Sequence, residues 1–247
     1  MSKTEIYQQK LSKSKNWIPY LRKNSGLPGP RGNLELAYAV AREANPAQIE
    51  GLLSVPYETA KENTPGVFVF FCGLLGLGKL VAQGDLAQLT RLRKYSSDPR
   101  WRVREGVATA LQLIGDQNMD LLIKEMREWS QGNWYEKRAA AAALAEPRLL
   151  NNPQRVIQIM DIFDSITAAI TSAGKPNDES FRICRQAMGY CWSVAVAALP
   201  SEGKPFMEKW IRSQNPDVRW IMKENLKKNR LIKMDVEWVK VCKMALY

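Results

Sequence analysis

Asp98-Pro99-Arg100-Trp101-Arg102-Val103-Arg104-Glu105 is answered further along the chain by Asp217-Val218-Arg219-Trp220-Ile221-Met222-Lys223-Glu224. Each stretch gives Asp, then Arg-Trp, then a base followed by Glu. Asn133-Trp134-Tyr135-Glu136-Lys137-Arg138, running into Ala139 to Leu144, is a third copy, and Asp178 to Gly189 is a weaker fourth. Asp98 and Asp178 lie 80 residues apart and Asp178 and Asp217 lie 39 apart, so the unit is near 40 residues. A period of that length fits a stacked pair of helices.

Working outward from these copies, the pattern is helical throughout from Leu86: about 86–95, 100–114, 119–130, 134–145, 153–172, 179–199, 204–213, 217–228 and 235–246. Breaks are expected at Ser97-Asp98-Pro99, Gly115-Asp116, Gly132-Asn133, Pro147, Gly174-Lys175-Pro176-Asn177, Pro200 to Gly203 and Asn215-Pro216. Asp, Asn, Pro and Gly sit where helix caps and stops belong. The polar stretch from Ala173 to Asp178 reads as a mobile loop. Upstream, residues 4–23 read as one amphipathic helix, and Ser25 to Gly32 as a turn-rich connector. Asn33 then caps a helix to about Ala44, Asn45-Pro46 breaks it, and a second short helix covers 47–54. Pro65 to Gly84 carries no charge from Gly66 to Gly78. A span of the bilayer takes about 20 apolar residues, so this stretch reads as a buried helix, with a buried strand at Val67 to Phe71 as the alternative. The expected fold is all-α. It is expected to form one domain over 1–247, with an N-terminal helix and connector in 1–32, looser helical pairs in 33–84 and clearer repeats in 85–247.

The formal net charge is +11, and it is concentrated at the ends. Residues 1–31 hold seven bases and one acid, and residues 204–247 hold eleven bases and five acids. Such a balance favours a polyanionic partner. The chain has no histidine, which removes Ser-His-Asp and Cys-His nucleophiles and imidazole metal ligands. No metal, cofactor or membrane partner is expected. Cys72, Cys184, Cys191 and Cys242 contain no CxxC pair and read as reduced thiols of a cytoplasmic protein. Met1 to Lys15 lacks the apolar core of a signal peptide.

Gly73-Leu74-Leu75-Gly76-Leu77-Gly78-Lys79-Leu80 spells G-x4-G-K, but a phosphate-binding loop needs Ser or Thr where Leu80 stands. Close helix packing explains these glycines better. Arg219, Lys223, Lys227 and Arg230 recur at +4, +4 and +3, a spacing that lines up cations on one helix face and just beyond its end. They face either a polyanion or water. Arg100 and Arg104 form a smaller pair of the same kind, with a structural bond between adjacent helices as the alternative for Arg104. Trp101 and Glu105 share a helix face at i and i+4, and Trp134 and Arg138 repeat the spacing. Packing at a repeat seam is the alternative reading of both tryptophans.

These copies resemble HEAT-type repeats, helix pairs whose second member has a small Ala-rich face and an Arg near its start. The resemblance covers about residues 86–230 and implies a right-handed superhelical solenoid. Within that class, the order Trp101, Glu105, Arg138, Tyr190 resembles the HEAT-like alkylpurine DNA glycosylases of the DNA alkylation repair type. The chain has Glu105 where that family usually has Asp, Tyr190 where it has Trp, and Ser193 where it has Arg. The resemblance implies excision of cationic N-alkylated purines. Trp101 and Tyr190 would attract the base, Glu105 would stabilise the developing sugar cation, and Arg138 would hold a phosphate. The expected function is therefore binding of duplex DNA through phosphate contacts, from Arg138, Arg219, Lys223, Lys227 and Arg230, with or without base excision. A non-catalytic scaffold for a protein partner is the alternative.

Overall fold

The computed structural model describes residues 1–174 and 178–246. Helix takes 76% of them and no described residue lies in a strand, so the chain is all-α and the strand alternative at Val67 to Phe71 falls away. The loop expected at 174–177 lies, beyond Gly174, outside the described residues. Two compact units divide the chain between Asn118 and Met119.

The first unit holds α1 (Lys3–Ser12), α2 (Ile18–Lys23), α3 (Leu34–Glu43), α4 (Pro46–Leu53), α5 (Pro65–Ala82), α6 (Ala87–Tyr95) and α7 (Trp101–Gln117). Alternate helices pack in a row, α1 on α3, α3 on α5 and α5 on α7, while α2, α4 and α6 lie against α5. Helix α5 thus has neighbours on most sides, and every residue from Gly66 to Gly78 is buried. That explains a stretch without charge: a cation there would be desolvated with no partner. By length and composition α5 would also suit a membrane, but it is mostly buried inside this unit. Its glycines are contact points. A Cβ on Gly78 would stand 2.5 Å from the Ala110 carbonyl oxygen, and one on Gly76 would meet Ile49 at the same distance. Lys79 donates to the carbonyls of Arg42 and Ala44 at the end of α3, both at 2.9 Å. The G-x4-G-K string is helix packing.

The second unit holds α8 (Met119–Trp129), α9 (Trp134–Leu144), α10 (Pro153–Ser172), α11 (Glu179–Ala198), α12 (Pro200–Ile211), α13 (Pro216–Leu226), α14 (Asn229–Met234) and α15 (Val236–Ala245). Here α9, α11 and α13 form one row and α8, α10 and α12 another, each helix of one row pairing with its sequence neighbour in the other. The Ala-rich face of α9 lets α11 approach, with Ala139, Ala140, Ala141 and Ala143 all buried. Phe163, Trp192 and Trp129 are the largest fully buried side chains, and the Trp192 indole donates to Thr167 Oγ1 at 3.1 Å.

Four expectations need correction. Residues 4–23 are two helices: α1 ends at Ser12, α2 restarts at Ile18 with Pro19 in its first turn, where a missing N–H costs nothing, and between them the Trp17 indole donates to the Leu11 and Ser14 carbonyls. Helix α7 runs through Gly115, which is buried, and stops only at Asn118. Helix α12 begins at Pro200, where a missing N–H costs nothing, and carries Pro205 within it. The expected helix over 217–228 ends at Leu226, and a separate α14 follows.

Candidate functional site

The first copy of the repeat opens α7 and builds a site in the first unit. Asp98 accepts the Arg100 backbone N–H at 2.8 Å and both sides of its guanidinium fork. The same guanidinium reaches the Ala60 carbonyl and lies between the Tyr57 and Phe70 rings. Arg104 turns back onto the Asp98 and Pro99 carbonyls at 2.7 and 2.8 Å. Arg100 and Arg104 are both buried and hold the start of α7 in place, so they are not the cationic surface pair the spacing suggested.

Trp101 and Glu105 do share a face, and both line a cleft of about 170 Å³. Trp101 is 44% exposed, which removes the packed-seam reading for this residue. Phe68 and Phe71 from α5, stacked with ring planes 9° apart, supply an apolar wall. The connector also lines the cleft, through Leu27, Pro30, the exposed Arg31 and Gly32, together with Leu34 at the start of α3. This loop has a defined conformation. Gly26 sits at φ +74°, where only glycine is comfortable and where a Cβ would meet the Arg31 carbonyl at 2.9 Å. The Asn33 N–H bonds to the Ser25 carbonyl, and the Gly29 N–H to Asn63 Oδ1.

Arg102 ties these parts together. It is buried; its guanidinium sits 4.4 Å from the Trp101 ring centroid, one Nη donates to Glu105 at 3.0 Å, and the other donates to the Gly29 and Pro30 carbonyls. The carboxylate and the tryptophan face therefore already carry a cation. Sequence reasoning missed Arg102, and it read the connector without placing it beside Trp101. The i,i+3 spacing of Arg102 and Glu105 was a usable signal for the ion pair. Nothing local pointed to Pro30, which meets Arg102 from 72 positions away.

The remaining site residues belong to the second unit. Tyr190 on α11 is 38% exposed, with the Arg230 guanidinium 4.7 Å above its ring and donating to its hydroxyl at 2.6 Å. Lys228 Nζ lies 6.0 Å from the same ring. Burial pushes the neighbouring Cys191 thiol up to about 12, and the charges of Arg138 and Arg230 oppose that rise, so both cations lie near α11 at this point. Gly189 lets α13 close in: a Cβ there would be 3.1 Å from Trp220 and 3.2 Å from Glu224. Asn225, fully buried on α13, accepts from the Ser193 N–H and donates to the Met188 carbonyl, fixing the turn that carries Tyr190.

The four stripe cations do not share one helix. Arg219 donates to the Leu246 carbonyl, Lys223 is half-buried on α13, Lys227 caps α13 and pairs with Glu224, and Arg230 lies on α14 against Tyr190. Trp134 is half-buried and packs edge-on against Phe181 at 5.0 Å, so it is a seam residue and not a second Trp101. Asp217, the acid of the second copy, pairs with Arg185, and Asn215 caps that helix in its place. All four cysteines are free and buried. No cluster of metal-binding side chains occurs among the described residues. No family model, no curated protein and no solved structure matches the chain.

Proposed function

We propose that the chain is a HEAT-like repeat protein that binds duplex DNA, chiefly through phosphate contacts. The observation that carries this reading is Trp101, 44% exposed at a cleft that also holds Glu105 and Arg31. An exposed indole beside a cation is what a protein uses to meet a base and its phosphate together. The net charge of +11 adds the long-range attraction. Lys228 and Arg230, which lie over the Tyr190 ring, offer a second place for phosphates, and the charge of Arg138 is felt at the adjoining Cys191. The alternating helix rows within each unit are consistent with a HEAT-type array of helix pairs, for which a right-handed superhelix is the expected form. Four buried free thiols suit a reducing cytoplasmic compartment.

Removal of alkylated purines is the sharpest form of this reading. Glu105 and Trp101 have the required residue types, but the 3.0 Å pair with Arg102 spends part of the carboxylate's charge. A non-catalytic protein scaffold is the second reading. It is favoured by α15, where Val241 and Met244, one turn apart, are 65% and 77% exposed.

Equilibrium binding to undamaged duplex DNA over a salt series separates the two. Each phosphate contact adds about 0.9 to the log–log slope. Replacing both Lys228 and Arg230 with Ala is expected to flatten the slope by nearly 2 and to weaken all sequences alike. An unchanged slope removes these cations from the interface, and no binding at low salt leaves the scaffold reading. On duplexes carrying N3- or N7-alkylated purines, base release that Glu105→Gln slows by about 10²–10³ is the catalytic outcome. No release at high protein excess ends it.

A further inference from the structure

Resting on the DNA-binding reading, we infer that the Trp101 cleft takes a single unpaired, uncharged nucleobase, with its phosphate on Arg31, and gives no advantage to a cationic base. Size supports one ring system. The cleft is about 170 Å³, close to the roughly 150 Å³ that accommodates a benzene ring and well below the roughly 300 Å³ at which drug-sized pockets begin. The walls are apolar rings and aliphatic groups, Phe68, Phe71, Leu27 and Leu34 among them.

Charge decides the class of base. Trp101 would attract a cation through its face, but Arg102 lies over one face at 4.4 Å, so a base stacks on the other, where the guanidinium across the ring offsets the attraction for a second cation. Glu105 would attract a cation through its carboxylate, but Arg102 holds that too, at 3.0 Å. The guanidinium and the carboxylate, 3.0 Å apart, offset part of each other's field at a ring held in the cleft. The uncompensated charge lining the cleft is that of Arg31, which is exposed and positive. Glu62, which accepts the Arg102 backbone N–H at 3.1 Å, stands at the start of α7 and outside the lining. A neutral base therefore gains stacking and burial, its phosphate gains Arg31, and an added positive charge gains nothing.

The test uses the full chain and four short duplexes that differ at one central position: fully paired, a bulged guanine, a bulged 7-methylguanine and a bulged abasic sugar. Fluorescence anisotropy gives Kd for each. The bulged guanine is expected to bind at least about fivefold tighter than the paired duplex, the lower end of what base–aromatic stacking contributes. The 7-methylguanine duplex should do no better than guanine, and the abasic bulge should match the paired duplex. Trp101→Ala should erase the gain; Trp101 is exposed, and an unchanged urea midpoint verifies the fold of this variant. Arg31→Ala should reduce the gain. A preference for the methylated base, no gain for bulged guanine, an equal gain for the abasic bulge, or a gain that survives Trp101→Ala each overturns the inference while leaving DNA binding intact. Failure of all four duplexes to bind removes the DNA-binding reading itself.

Discussion

Gly78→Ala and Gly51→Ala are the same chemical change in two helices of one unit, and they are expected to have opposite signs. In an open helical site, alanine is better than glycine by about 1 kcal/mol. Gly51 is such a site: it is exposed on α4 and a Cβ there meets nothing within 4 Å. Gly78 lies at the seam of α5 with α7. Its new Cβ would be 2.5 Å from the Ala110 oxygen, 2.9 Å from Ala110 Cα and 3.0 Å from its carbonyl carbon. All three are backbone atoms, so no rotamer change relieves the clash. Ordinary contact begins at 3.4 Å, so the seam must open by 3.4 − 2.5 = 0.9 Å. A gap of that size forfeits a quarter to a half of the dispersion energy along the contact, and overpacking of a tight core costs about 1–3 kcal/mol. With the upper end of that cost and the propensity gain subtracted, Gly78→Ala should lose about 2 kcal/mol while Gly51→Ala gains about 0.5–1 kcal/mol. The separation of about 3 kcal/mol corresponds to roughly 1–3 M in urea midpoint at ordinary slopes. Urea unfolding followed by circular dichroism reads it directly. A Gly78→Ala protein within about 0.5 kcal/mol of the parent would refute the close α5–α7 contact, and with it the placement of the cleft walls.

Two further predictions concern the second unit. Burial pushes Cys184 and Cys191 up to about 12 from an ordinary 9.0, so the unfolded chain releases these two protons at lower pH than the native protein. Stability is then fully present below pH 9 and falls above it, by up to about 1.4 kcal/mol per pH unit per thiol. Urea midpoints between pH 8 and 10.5 should drop steeply, and less so in Cys184→Ala; equal slopes would rule out the buried thiols as the cause. Asn225→Leu keeps the branched outline, in a somewhat larger side chain, but strips the Ser193 N–H and Met188 carbonyl of their partner, for an expected loss of about 2–3 kcal/mol. A loss under 1 kcal/mol would mean that α11 satisfies these groups by itself.

The fold was readable because its punctuation is physically used. Asn33, Asn45, Thr64, Asn133, Asn152, Asp178, Asn215 and Asp235 each accept a backbone N–H at the start of the helix they were expected to open or adjoin. Where the sequence misled, burial had overridden local preference. Gly115 marks a stop in isolation but is buried inside α7, and Gly203, expected to lie in a break, is buried inside α12. The spacing of Trp101 and Glu105 foretold their common face. It could not foretell the company they keep, since that depends on α5 bringing Phe68 and Phe71 to the cleft and on the connector arriving there too. The basic stripe was less legible still, because Arg219 and Arg230 are drawn to carbonyl and ring partners that lie 27 and 40 residues away in the chain.

A tryptophan and an acid four residues apart on a helix are common, and their presence alone makes no site. Here the intervening Arg102 decides the chemistry. Its guanidinium bonds to two connector carbonyls, to Glu105 and to the Trp101 face at once. That arrangement holds the loop against the helix and fixes the width of the cleft without a ligand, so little ordering remains to be done on binding. The same contacts occupy the two features that would otherwise favour a positively charged guest. A cleft preorganised in this way selects by shape, stacking and an external phosphate, and its preference for a neutral ring follows from the arginine that shapes it.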